Sequence, residues 1–339
     1  MFGSRRALDG PFLLVLLLLS VCGCVSGNCP RAAVPLPGQG LEQGLFALNE
    51  MDMHLHAGME RQVPLDQWLN LCAADGRKVV IALDHRELYD QTQQEFDAWI
   101  AKDKLPGWYP PGKAGKKALM FDLAAQSKRT DLIVFRGWEI YEGELDEGLD
   151  RDGMRLAEVI GWHISANGDP PPGGQMLLKR VRQIIEVQKE FPVPMIIFHP
   201  FPFAIERVQK DARKQGKDLS SLTVSDYRFF KPGEQEELVR LLRGTSIYIE
   251  ISLDQAQYMD NPVTREALIA DIKPLAEAGG QFTVSTDAHY LEHIRKHFDP
   301  ERYCSPIGVT QLNTNTIVRE LLAIRAKRLE SSGPASVQK

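Results

Sequence analysis

The sequence predicts a parallel α/β barrel, and three observations carry that expectation. Apolar strand-like runs alternate with helix-like runs from about Leu45 to Tyr303, the rhythm of a parallel sheet or barrel. Five of the runs end in acids or histidines: Met51-Asp52-Met53-His54-Leu55-His56, Val79 to Asp84-His85, Ile133 to Glu139, Met195 to His199-Pro200, and Phe282 to Asp287-Ala288-His289. The first run ends in His-x-His, not in the Gly-rich turn that marks the competing architecture, an open nucleotide-binding sheet. In a parallel barrel the carboxyl ends of the strands share one face, so these residues would converge on one pocket.

The elements follow in order. Arg5 and Arg6 precede an apolar run from Pro11 to Val21, too short to span a bilayer but of signal-peptide length. Val21-Cys22-Gly23-Cys24 then resembles a lipoprotein lipobox, with Cys24 as the lipidated residue; a plain secretory signal cleaved near Gly27 is the alternative. Residues 1–23 thus read as signal peptide and 24–44 as a Pro- and Gly-rich tether. The barrel is expected over 45–310. Pro64 to Ala74 sets Leu65, Trp68, Leu69 and Cys72 at helical spacing. Gln91 to Lys102 is amphipathic, Lys104 to Lys117 reads as a loop centred on Trp108 and Tyr109, and Ala118 to Arg129 as a helix. Asn167 to Gly174 is loop. Helices are expected over Gln175 to Phe191, Glu234 to Arg243 and Thr264 to Ala278, with Ile247 to Ile251 a further strand and Gly279-Gly280 a helix stop. A C-terminal helix (311–330) and a frayed tail (331–339) complete the chain.

The bulk properties narrow the function. The chain has 339 residues, 43% hydrophobic and 25% charged, as in ordinary globular proteins. A net charge of −5 argues against general nucleic-acid binding. Cys29, Cys72 and Cys304 show neither a disulfide framework nor Cys-x-x-Cys zinc spacing. No Gly-x-Ser-x-Gly elbow offers a serine nucleophile.

The chemistry lies at the strand ends. Alternate strand residues share a face, so His54 and His56 reach one ion, as do Asp287 and His289, while the Glu139 carboxylate can bridge two ions. Mixed nitrogen and oxygen ligation suits zinc, manganese or iron. Arg61 and Arg86 directly follow ligand motifs and are candidates for contacting a substrate phosphate. Glu250 ends its own strand and either orients a ligand or lines the mouth. His293 and His297, spaced i and i+4, read as exposed helix residues.

The order His54-x-His56, Asp84-His85, Gly137-x-Glu139, His199-Pro200, Asp287-Ala288-His289 resembles the PHP (polymerase and histidinol phosphatase) superfamily over about residues 48 to 295. The amidohydrolase superfamily, which also opens with His-x-His, fits the middle strands less well. The resemblance implies a distorted (β/α)7 TIM-like barrel with two or three divalent ions. His54, His56, Glu139 and Asp287 would hold the first, Glu139 and His199 the second, and His85 and His289 would contribute to a third, with Asp84 orienting its neighbours. It implies metal-assisted hydrolysis of a small phosphorylated substrate, the alternatives being C–N or C–O hydrolysis or a surface binding protein without turnover.

Two positions depart from the pattern. Where many members carry an Asp after the second His, this chain has Arg61, and Glu60 stands one earlier as a replacement ligand. Where many carry a His in a turn after the third strand, Glu158-Val159-Ile160-Gly161-Trp162 stands here, so Glu158 is the expected ligand and His163 the alternative.

Overall fold

In a computed structural model the chain is described over residues 45–57, 63–90, 112–165, 171–295 and 298–331, with isolated residues between 92 and 98. The expectations for Cys24, Cys29, Glu60, Arg61, Trp108, Tyr109 and His297 lie outside these residues.

Seven strands form one sheet in sequential order: β1 (Met51–His56), β2 (Val79–Leu83), β3 (Ile133–Tyr141), β4 (Val159–His163), β5 (Met195–Phe198), β6 (Ile247–Ser252) and β7 (Phe282–Ser285). Every neighbouring pair is parallel. The sheet curls until its ends meet at a bridge between Leu55 and Ala288, where the His56 N–H donates to Ala288 O at 3.0 Å. This is the expected TIM-like barrel. Its strands are largely buried along both faces, as expected where helices cover the outside of a parallel sheet.

Inside, the barrel is polar at one end. Asp52, His54 and His56 on β1, Glu139 on β3, Glu250 on β6 and Ser285 on β7 are all buried. Outward-facing neighbours such as Met53, Leu55, Trp138, Ile140 and Ile251 carry the hydrophobic core. β1 gains one residue on β2 between Asp52 and Leu55, a bulge just at His54. Bulges re-aim side chains, and they concentrate beside active sites.

Three local expectations are corrected. Val159–His163 is a full strand, β4, not a turn. The helix before β3 runs over Lys113–Gln126, so the expected loop ends earlier; Gly112 at φ 93° starts the helix. A helix at Pro200–Lys214, with prolines in its first turn, was not anticipated. Proline fits there because the first N–H groups of a helix have no partner within it.

The C-terminal helix (Gln311–Ser331) covers the amino-terminal end of the barrel. Asn315 Nδ2 donates to Phe46 O at 2.9 Å, and Glu320 Oε2 accepts from the Tyr248 hydroxyl at 2.8 Å. Arg325 pairs with Glu158. Among the described residues no helix is long and apolar enough to cross a membrane.

Candidate metal centre

His54 is the most constrained of the candidate ligands. Its Nδ1 lies 2.7 Å from Glu250 Oε1, which also accepts the Ser285 hydroxyl at 2.7 Å. The His199 N–H donates to the other Glu250 oxygen at 2.9 Å. Glu250 therefore holds the Nδ1–H of His54 and turns the Nε2 lone pair inward, the way a carboxylate orients a metal-binding imidazole. The Phe198 ring stacks on His54 with centroids 3.7 Å apart. Gly161 makes room for it, since a Cβ there would fall inside the Phe198 ring.

The Asp287 turn is held from across the seam. Asp52 accepts the Thr286 N–H at 2.9 Å and its hydroxyl at 2.6 Å. On the β2 side, Asp84 accepts the Tyr89 hydroxyl at 2.7 Å and the His85 N–H at 2.8 Å.

Four candidate ligand atoms then converge. His54 Nε2 lies 2.9 Å from His56 Nε2, 3.2 Å from Glu139 Oε2 and 3.4 Å from Asp287 Oδ1. His56 Nε2 lies 3.0 Å and 3.2 Å from the same two oxygens. Ligands about 2.1 Å from a first-row ion sit about 3 to 3.4 Å from each other. The opposite oxygen of Glu139 faces a second group, with His163 Nδ1 at 2.8 Å and His199 Nε2 at 3.4 Å. At the rim, His85, His289 and His56 form a third set. His56 stands in both the first group and this one. The three sets therefore share ligands.

The donor chemistry fits divalent ions. Two imidazole nitrogens 2.9 Å apart repel each other unless a proton or a cation lies between them, and Asp287 Oδ1 is buried with no hydrogen-bond donor. Burial raises the Asp287 carboxyl, but His54 and His199 outweigh it and hold the group well below the usual carboxylate range. Burial likewise opposes ionisation of Glu139, and His85 and His54 override it. Burial pulls His54 down, yet the carboxylates of Asp287, Glu139 and Glu250 push it up to about 10. At the rim, burial and the neighbouring His56 take His289 down to about 3. The carboxylates thus require positive charge in their midst, from protons or from metal.

The structure brings His54, His56, His85, Glu139, His199, Asp287 and His289 into one cluster and leaves two expected site residues out. Glu158 precedes β4 and so lies at the opposite end of the barrel, where Arg325 holds it at 2.6 Å and 2.8 Å. His163, at the far end of the same strand, takes its place beside Glu139. Arg86 is not available to a phosphate. It is 5% exposed and paired with Asp90 at 3.0 Å, with Asp150 at 3.4 Å and with Glu144. His163 carried a readable signal, an apolar run ending in histidine like the other strand ends.

No protein-family model and no curated protein sequence matches the chain. Among solved structures, it is similar at TM-score 0.45 and 14% identity to a chain of an archaeal ribonuclease P with mature tRNA, over 83% of this chain and 93% of that one. It is similar at TM-score 0.39 and 14% identity to a histidinol phosphate phosphatase of Lactococcus lactis, solved with zinc, L-histidinol and phosphate, over 77% and 93%. A dihydroorotase of Campylobacter jejuni superposes at TM-score 0.29 and 14% identity, over 85% and 86%. At these scores the likenesses say nothing about this chain's reaction.

Proposed function

We propose that this chain is a metal-dependent hydrolase acting on a phosphate mono- or diester. One observation carries the reading: the Glu139 carboxylate is buried between two groups of imidazoles, Oε2 toward His54 and His56 and Oε1 toward His163 and His199. A carboxylate so placed suits a pair of ions, zinc, manganese or iron by its nitrogen-rich partners. Bound there, two ions would supply an acidified water and neutralise charge on a phosphoryl oxygen.

The chain's own residues do the rest. Glu250 fixes the tautomer of His54 and the backbone of His199. Asp52 fixes the turn that presents Asp287. The barrel walls bury His54, His56 and Glu139, while His85, His163 and His289 stay partly exposed at the mouth. No serine or cysteine nucleophile is needed. Elemental analysis of the purified protein, joined to a panel of phosphoesters, amides and lactones, tests this reading. Phosphoester cleavage that needs metal and is abolished by Glu139→Gln supports it. Cleavage of amides alone, or no metal at full purity, refutes it. We also propose export and attachment to a membrane through lipidated Cys24, on the strength of the amino-terminal sequence.

A further inference from the structure

A cavity of about 250 Å3 opens directly beside the metal centre. It is lined by Thr286, Asp287 and His289 together with Leu253, Asp254 and His293, which hold no place in the ligand cluster. The space has room for a group of a few heavy atoms.

Two of these added lining residues, Asp254 and His293, have a definite hydrogen-bonding character. The His289 N–H reaches His293 Nδ1 at 3.4 Å, so a neutral His293 carries its proton on Nε2 and offers a donor. The Tyr290 ring packs edge-on against His293, with centroids 5.2 Å apart, and fixes the imidazole plane. Asp254 offers only acceptors. A group that both donates and accepts, such as a hydroxyl, complements Asp254 and His293 together.

We propose that this cavity receives the hydroxylated portion of the substrate, with Asp254 accepting from a hydroxyl and His293 donating to it. The proposal rests on the phosphoesterase reading and names its substrate class, a small polyol or sugar phosphate. The cavity borders Asp287 and His289, so a phosphoryl group at the metal centre would place its alcohol there.

The test compares glycerol 1-phosphate with propyl phosphate, which matches it in carbon skeleton but lacks the hydroxyls, on zinc-loaded full-length protein. Wild type should favour glycerol 1-phosphate by about tenfold or more in kcat/KM. Asp254→Asn and His293→Phe should each cut that preference about fivefold or more, with zinc stoichiometry unchanged. A wild-type ratio near one, or a ratio that survives both substitutions, overturns the assignment. Loss of zinc from a variant marks that residue as part of the metal scaffold and overturns its role in recognition. If neither ester is cleaved, the phosphoesterase reading fails, and calorimetric binding of the two compounds decides the cavity by the same ratios.

Discussion

His199 and Asp287 share a departure from ordinary backbone geometry: their φ angles are 57° and 52°, the only positive values outside glycine among the described residues, and their side chains face each other with Nε2 3.7 Å from Oδ2. L-residues adopt this region at a cost of about 1 to 2 kcal/mol each. Such outliers cluster at ligand clamps, where surrounding contacts hold them. Here Glu250 grips the His199 N–H and Asp52 grips Thr286 beside Asp287.

Metal should stabilise the folded protein, since ions bind ligands that only the fold brings together. Stripping the protein with a chelator should lower Tm by about 5 °C or more, and adding back zinc or manganese should restore it. Scanning calorimetry on stripped and reloaded samples reads this directly; an unchanged Tm would remove the case for resident metal.

Gly161→Ala should act at a distance. The new methyl displaces the Phe198 ring, which then loses its seat against His54. Metal affinity should fall about tenfold or more, measured by competition with a chromophoric chelator. Glu250→Gln should produce a loss of similar size by a different route, since a neutral amide orients His54 less firmly.

The two ends of β4 should separate cleanly. His163→Ala should reduce bound metal, whereas Glu158→Gln should leave metal content intact and cost about 3 kcal/mol of stability by removing the carboxylate that pairs with Arg325. Plasma emission analysis and urea unfolding distinguish the two outcomes.

The Glu158 pair also sets a pH dependence. Burial raises the Glu158 carboxyl, but Arg325 outweighs it, and the folded-state value lies below the usual one. Unfolding therefore takes up protons in acid. The stabilisation is fully present above the ordinary glutamate range and is lost as pH falls through the folded value. The stability gap between wild type and Glu158→Gln should be widest near pH 7 and narrow below about pH 4. A gap that grows in acid would contradict this.

Anchoring is tested by Cys24→Ser, which should move the protein from the membrane fraction to the soluble one on fractionation of the producing cells. Retention on membranes would refute lipidation at Cys24.

Most of the cluster was legible because each ligand ends an apolar run, a pattern that survives without knowledge of tertiary contacts. β4 escaped for a local reason: Gly161 interrupts its apolar character, and a strand glycine reads as a turn or bulge. Missing the strand put Glu158 at the wrong end of the barrel and relegated His163 to an alternative. Arg86 escaped for a non-local one. Its partners Glu144 and Asp150 come from the segment after β3, a pairing that sequence adjacency to His85 does not foretell. Asp52 was visible in the first run, but its grip on Thr286 spans 234 residues and needed the closed barrel to appear.

That closure has a wider consequence. The sheet ends meet through one bridge, Leu55 to Ala288, and the residues flanking it are His54, His56, Asp287 and His289. An ion shared by His54, His56 and Asp287 would thus be a clasp between the first and last strands, fastening the two ends of the sheet. The candidate site and the seam are one place, so opening the barrel would also release an ion held there. Amide exchange in β1 and β7 should then report metal occupancy more sharply than exchange in β4 and β5, on the far side of the barrel.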